Sequence, residues 1–365
     1  MSKPIRLALG AVALGATLLP VTAFAQYTHD PYFEQTVVQS QAFGLEVIGL
    51  RLVLAEKFAP PFDNELVEQI ESMTGADLAR FSGTLGHHDP ELASALADAL
   101  DAVEDAVGAG EDATAVVKNA QELLAKAYDT VVGAEVTDAP SFKAAVLVNL
   151  LLAENGVAEG YEEAVENREP WEYPNGWAAL QRVKVLWAEI KPLGTEQRQT
   201  DGQEMIDALD ALFPDAGPPE SVAGWNPEEA ESPAQRLSGI VEEVADANLY
   251  PDRDLPRLAG HLSNITAKAC EAYAAGDAAI AAESLYAAFD HYQSHLYDTA
   301  GLFAPEVQEK VSELFGALIN AGDDDDDDDE PASADEDEAE VEVEPAVACG
   351  ELQQGFVDLK TAFGG

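Results

Sequence analysis

Residues 89–110 read Asp-Pro-Glu-Leu-Ala-Ser-Ala-Leu-Ala-Asp-Ala-Leu-Asp-Ala-Val-Glu-Asp-Ala-Val-Gly-Ala-Gly. Aspartate leads, proline takes the first turn where its missing N–H costs nothing, and Glu91 complements the positive end of the helix dipole. Leu92, Leu96, Leu100, Val103 and Val107 recur at three- and four-residue steps, one apolar face of a helix, and glycine closes the run. The Pro-Glu opening returns at Asn226-Pro227-Glu228 and Ala304-Pro305-Glu306. Ala, Leu and Glu dominate throughout, and alternating β-branched runs are missing apart from Val341–Val347. The pattern predicts an all-α chain. Helices are expected near 33–58, 63–84, 90–107, 112–132, 140–166, 174–191, 200–213, 227–247, 255–274, 277–298, 305–320 and 350–362.

The opening stretch has an echo. Leu92-Ala93, Leu96, Ala106 and Ala109-Gly110 recur as Leu258-Ala259, Leu262, Ala272 and Ala275-Gly276, and Tyr128-Asp129-Thr130 recurs as Tyr297-Asp298-Thr299. Two related antiparallel helical-bundle halves are therefore expected, over 26–166 and 177–320. Between them, residues 167–176 form a linker whose aromatics, Trp171 and Tyr173, stand beside Pro170 and Pro174 as anchors. A disordered acidic segment, 321–347, and a C-terminal helix, 348–365, complete the expected order.

The ends say where the protein works. Residues 1–25 carry Lys3 and Arg6, an apolar run from Leu7 to Leu19, then Ala23-Phe24-Ala25, the order of a secretory signal cleaved after Ala25. No later stretch reaches the ~20 apolar residues of a bilayer span. A periplasmic or secreted protein without membrane insertion is expected, a retained anchor being the alternative. Cys270 and Cys349 are the two cysteines, and an oxidising compartment predicts their disulfide, with two buried thiols as the alternative.

Acid outweighs base by 69 Asp+Glu to 19 Lys+Arg, a formal charge of −50. Asp323–Glu344 holds 15 acids in 22 residues, yet most of the charge lies outside it. Such a surface disfavours nucleic acid and anionic membranes and calls for salt to screen it, so salt adaptation is expected. The acidic run reads as a solvated linker or, alternatively, as a loose trap for hard cations.

Chemistry has few candidates. There is no His-Glu-x-x-His, Gly-x-Ser-x-Gly, phosphate loop or Cys-x-x-Cys-His, so no enzyme is expected. Histidine is scarce, six in all, yet His291 and His295 stand four apart on one helix face, the spacing for a shared metal. If Gly276-Asp277 turns a helical hairpin, His261 and His291 sit at the same height, ~22 Å from the turn. With Asp290 and Asp298 they form an N/O set suited to iron, zinc or copper, the alternative being satisfied or solvated histidines. Glu159, Glu162, Glu163 and Glu166 place acids on one helix face, a pattern that resembles the Glu-x-x-Glu iron motif and makes them weaker metal candidates, the alternative being a spacing that an acidic chain produces often by chance.

Gly86, His88 and Glu91 match the Gly-x-His-x-x-Glu signature, so this part resembles imelysin-like proteins; an Asp89-capped loop explains the same residues without function. Ala272-Tyr273-Ala274-Ala275-Gly276-Asp277, with Ala281, Tyr286, Ala287, Phe289 and Tyr292, is similar to the extracytoplasmic helical domain attached to high-affinity iron permeases. That resemblance covers about 60 residues and implies a soluble accessory, since the permease motif Arg-Glu-Gly-Leu-Glu is missing. The expected function is exported, non-enzymatic metal binding accessory to iron uptake, with a membrane iron permease or other envelope protein as partner. The alternative is a structural or protein-interaction helical module with no bound metal.

Overall fold

The computed structural model describes residues 27–71, 73–153, 155–166, 168, 170–320 and 345–365. The expected signal, 1–25, and most of the acidic segment lie outside the described residues. Among the described residues all regular elements are helical, and the one β-bridge joins His29 to Ala247. The chain is all-α.

The order is α1 (Pro31–Glu34), α2 (Thr36–Lys57), α3 (Asn64–Glu71), α4 (Ser82–His88), α5 (Pro90–Gly108), α6 (Thr114–Val131), α7 (Ala134–Thr137), α8 (Pro140–Leu152) and α9 (Val157–Glu166). There follow α10 (Glu172–Ile190), α11 (Glu196–Leu212), α12 (Glu228–Ala245), α13 (Leu255–Ala275), α14 (Ala278–His295), α15 (Tyr297–Phe303), α16 (Pro305–Asn320) and α17 (Pro345–Ala362). A π turn, Met73–Asp77, kinked at Gly75, interrupts what sequence reads as one helix over 63–84. The expected 140–166 helix breaks likewise, at Ala153–Gly156.

α2 is the axle. It packs against α6, α8, α10 and α14, so it is buried on nearly every side. With α8–α9 it is one of two described stretches long and apolar enough to cross a membrane, contrary to the expectation that none exists. Both lie mostly inside the protein, where their apolarity serves the core. Glu46 in the middle of α2 is tolerable there because Arg182 of α10 grips it with two hydrogen bonds, at 2.7 and 2.8 Å. α9 and α10 cross closely: a Cβ on Gly160 would stand 2.7 Å from the Gly176 nitrogen.

Two apolar cores result, and their boundary differs from the one expected at 167–176. The larger runs from Tyr32 to Leu249 and includes helices on both sides of that linker; the smaller runs from Leu258 to Leu359. The linker does not separate bundles because its aromatics are part of the larger core. Trp171 meets Phe58, while Tyr173 packs on Phe213 and Trp225. The smaller core is closed by the expected disulfide, Cys270 of α13 to Cys349 of α17.

Candidate functional site

α13 and α14 form the predicted hairpin. Gly276 caps α13 in the left-handed conformation that glycine adopts without penalty, and Asp277 caps α14 by accepting from the Ile280 N–H at 3.2 Å. This geometry brings His261 close enough to His291 to disfavour its protonation. His291 and His295 lie one turn apart, ring centroids 5.7 Å from each other, on the wall of a cleft of about 490 Å³.

The opposite wall comes from far away in sequence. His29 pairs with residues 246–248, Asp30 accepts an ion pair from Arg257, and Arg257 stacks on Phe33 at 3.7 Å. These contacts clamp α1 over the histidines. The Tyr32 ring packs edge-on against both His291 and His295, and its hydroxyl donates to Asn149 Oδ1 at 2.9 Å. Phe33 packs on His261, whose Nε2 lies 2.7 Å from Thr36 Oγ1. Thus the pair faces Tyr32 while His261 is engaged by Phe33 and Thr36, and the three rings do not converge on one point.

His291 is 6% exposed, and its Nδ1 is shut off from solvent with no hydrogen-bond partner. Burial first, then the neighbouring His295 and His261, hold its pKa well below the ordinary histidine value. His261 is lowered too, by burial and then by Arg257 and Lys268. A neutral imidazole keeps a lone pair available, which is the state a metal requires.

Asp290 is otherwise engaged. It accepts from Ser40 at 2.7 Å and from Arg80 at 3.0 and 3.3 Å. Arg80 in turn reaches Asp77 at 3.1 Å, and Asp77 meets Arg51 at 2.6 Å, so two guanidiniums and two carboxylates line the same cleft as a neutral set. Burial acts against the charge on Arg80, but Asp290 and Asp77 outweigh it and raise its pKa. Arg51, Asp77, Arg80, Tyr32 and Asn149 were missed by sequence reasoning. The available signal was Arg51 itself, a base in the apolar second half of α2.

The expected five-residue ligand set does not assemble. Asp298 is exposed in the first turn of α15 and lines no part of the cleft. Among the described residues no group of three or more His, Cys, Asp or Glu side chains could close around an ion. His88 and Glu91 are exposed at the α4–α5 junction, where Asp89 caps α5 by accepting from the Leu92 N–H at 3.0 Å. Glu159, Glu162, Glu163 and Glu166 ride on α9 and do not line the cleft. Burial, then Glu166, Glu231 and Glu228, raises the Glu162 pKa, a sign of crowded carboxylates.

No family model, curated protein or solved structure matches this chain.

Proposed function

We propose that this is an exported, non-enzymatic binding protein that takes a borderline transition-metal ion, iron, zinc or copper, at His291 and His295. The observation that carries this reading is the buried His291 imidazole with an unpartnered Nδ1, one helical turn from a second imidazole on a cleft wall. An orphaned buried nitrogen costs free energy that a ligand would restore. Two imidazoles fill only part of a coordination sphere. The remaining positions would fall to water or to a chelating molecule, and the cleft exceeds the volume of a bare ion. The sequence resemblance of residues 272–292 to the iron-permease-associated domain is the ground for proposing a role in iron uptake, beside a membrane permease.

Copper(II) is the probe. Added in molar salt, which suppresses loose capture by surface carboxylates, it should bind with one-to-one stoichiometry. Its electron paramagnetic resonance spectrum should show coupling to two nitrogens. His291→Ala with His295→Ala should abolish both. Copper uptake without nitrogen coupling, or unchanged in the double variant, would overturn the reading.

A second reading has its own observation. Leu302 and Phe303 of α15 are 83% and 65% exposed, large for apolar side chains side by side. They favour an interaction module if the copper experiment fails.

A further inference from the structure

A second cleft, about 500 Å³, opens between α6, α8 and α10 with α2 as its floor and shares no lining residue with the histidine cleft. Its chemistry differs from that of the histidine cleft. Leu45, Val53, Leu124, Phe142 and Val146 supply an apolar lining. At one end lies the Glu46–Arg182 pair, with the Tyr128 hydroxyl against it.

Gly49 occupies the middle of the floor. Some helix glycines of this protein answer to close packing, since a Cβ on Gly44, Gly83 or Gly202 would lie within 3.0 Å of a neighbour, while others, such as Gly239 and Gly316, meet nothing. At Gly49 a Cβ would meet one atom, Leu124 Cδ2, at an ordinary 3.7 Å. Glycine weakens a helix interior relative to alanine, and no packing contact requires it here. Its effect is to leave the cleft deep.

The mouth is charged, with one sign in excess. Lys143 is paired with Glu189 at 2.6 Å, and Arg182 with Glu46. Asp129 and Asp138 are exposed at the mouth with no ion-pair partner among the described residues. The overall charge of −50 adds to this local excess, and a cleft concentrates such a field. Tyr128, half-buried at the cleft, offers an aromatic ring to a cation that enters.

We infer that this cleft is a second ligand site, independent of the histidines, for a small organic cation with an apolar body, an amine or quaternary ammonium compound. The hydrocarbon part would lie on the floor over Gly49 and the positive group toward Asp129 and Asp138.

Benzyltrimethylammonium serves as the probe, with benzoate and benzyl alcohol as its anionic and neutral counterparts, titrated into the full chain and followed by amide chemical shifts. The cation should bind saturably, at least tenfold tighter than either counterpart. Shifts should concentrate on residues 45–53 and 124–129. Gly49→Leu fills the floor and should weaken binding tenfold or more. Val53→Phe should do the same from a neighbouring turn and guards against a misfolded first variant. The His291→Ala, His295→Ala protein should bind the probe as the wild type does, which separates this site from the metal reading. Absence of saturable binding, benzoate binding as tightly, or affinity unchanged in both filling variants would overturn the assignment.

Discussion

His291 is a histidine the fold keeps neutral. Its pKa is lowered by burial and by two neighbouring imidazoles, so the folded state resists a proton that the unfolded chain accepts below about 6.5. Its contribution is therefore complete above that value and is lost as pH falls from there toward the lower folded pKa. Urea midpoints of the wild type should decline between pH 7 and 5.5 more steeply than those of His291→Phe. Equal slopes would mean that the proton is taken up without penalty. Glu283 is the opposite case, a carboxylate 2% exposed whose pKa burial raises against the pull of its hydrogen bonds. It accepts from the Thr84 N–H and hydroxyl, both at 2.6 Å, and from Gln41 Nε2 at 3.0 Å. Removing it strands those donors in a dry junction, so Glu283→Ala should cost about 3 kcal/mol by chemical denaturation. Because its folded pKa is raised, Glu283 stabilises most at low pH, and that part fades as pH rises through the folded value.

At the scale of helices, α14 joins the two cores by polar contacts and one close approach. Gly83 of α4 lets α14 in so tightly that a Cβ would stand 2.8 Å from the Ala279 carbonyl carbon. Gly83→Val should push α4 and α14 apart, lower the melting temperature by several degrees and disturb the histidine cleft by moving Asp290 away from Arg80. An unaltered melting curve would show that the junction yields freely. The helices themselves were largely legible: aspartate before Pro90 and Asp277 after Gly276 are local signals, and local chemistry decides where helices begin and end. The α13–α14 hairpin, and with it the nearness of His261 to His291, followed from the same signals. What could not be read was α1 lodging over the histidines. Tyr32 and Phe33 are ordinary aromatics until His29 pairs with residues 246–248, and nothing near residue 32 in sequence announces that contact. The same holds for Asp290, whose partner Arg80 lies 210 positions away.

The whole molecule is two cores under one strongly negative field. Glu162, raised by burial and then by Glu166, Glu231 and Glu228, shows this repulsion locally. Screening should relieve it throughout, so the melting temperature should rise continuously from low salt to 1 M potassium chloride, where the Debye length is ~3 Å. A flat dependence would remove the case for salt adaptation. Charge was the most legible global property, and the division into cores the least. The boundary expected at residues 167–176 rested on prolines and aromatics, but Tyr173 and Trp171 find partners on both sides and knit the segment into the larger core.

The Cys270–Cys349 bridge spans 79 positions, and the acidic run Asp323–Glu344 lies within that interval. The covalent structure is therefore a ring closed through sulfur, with the most acidic part of the chain on its circumference. A protease that cuts the ring once leaves α17 fastened to α13. Such a nicked protein would migrate as one species until reduced and then release its last helix as a separate peptide. Cleavage in the acidic run would thus be recorded without loss of a part, and freeing the C-terminal helix would take both reduction of the bridge and unfolding of the smaller core that buries Leu352, Phe356 and Leu359.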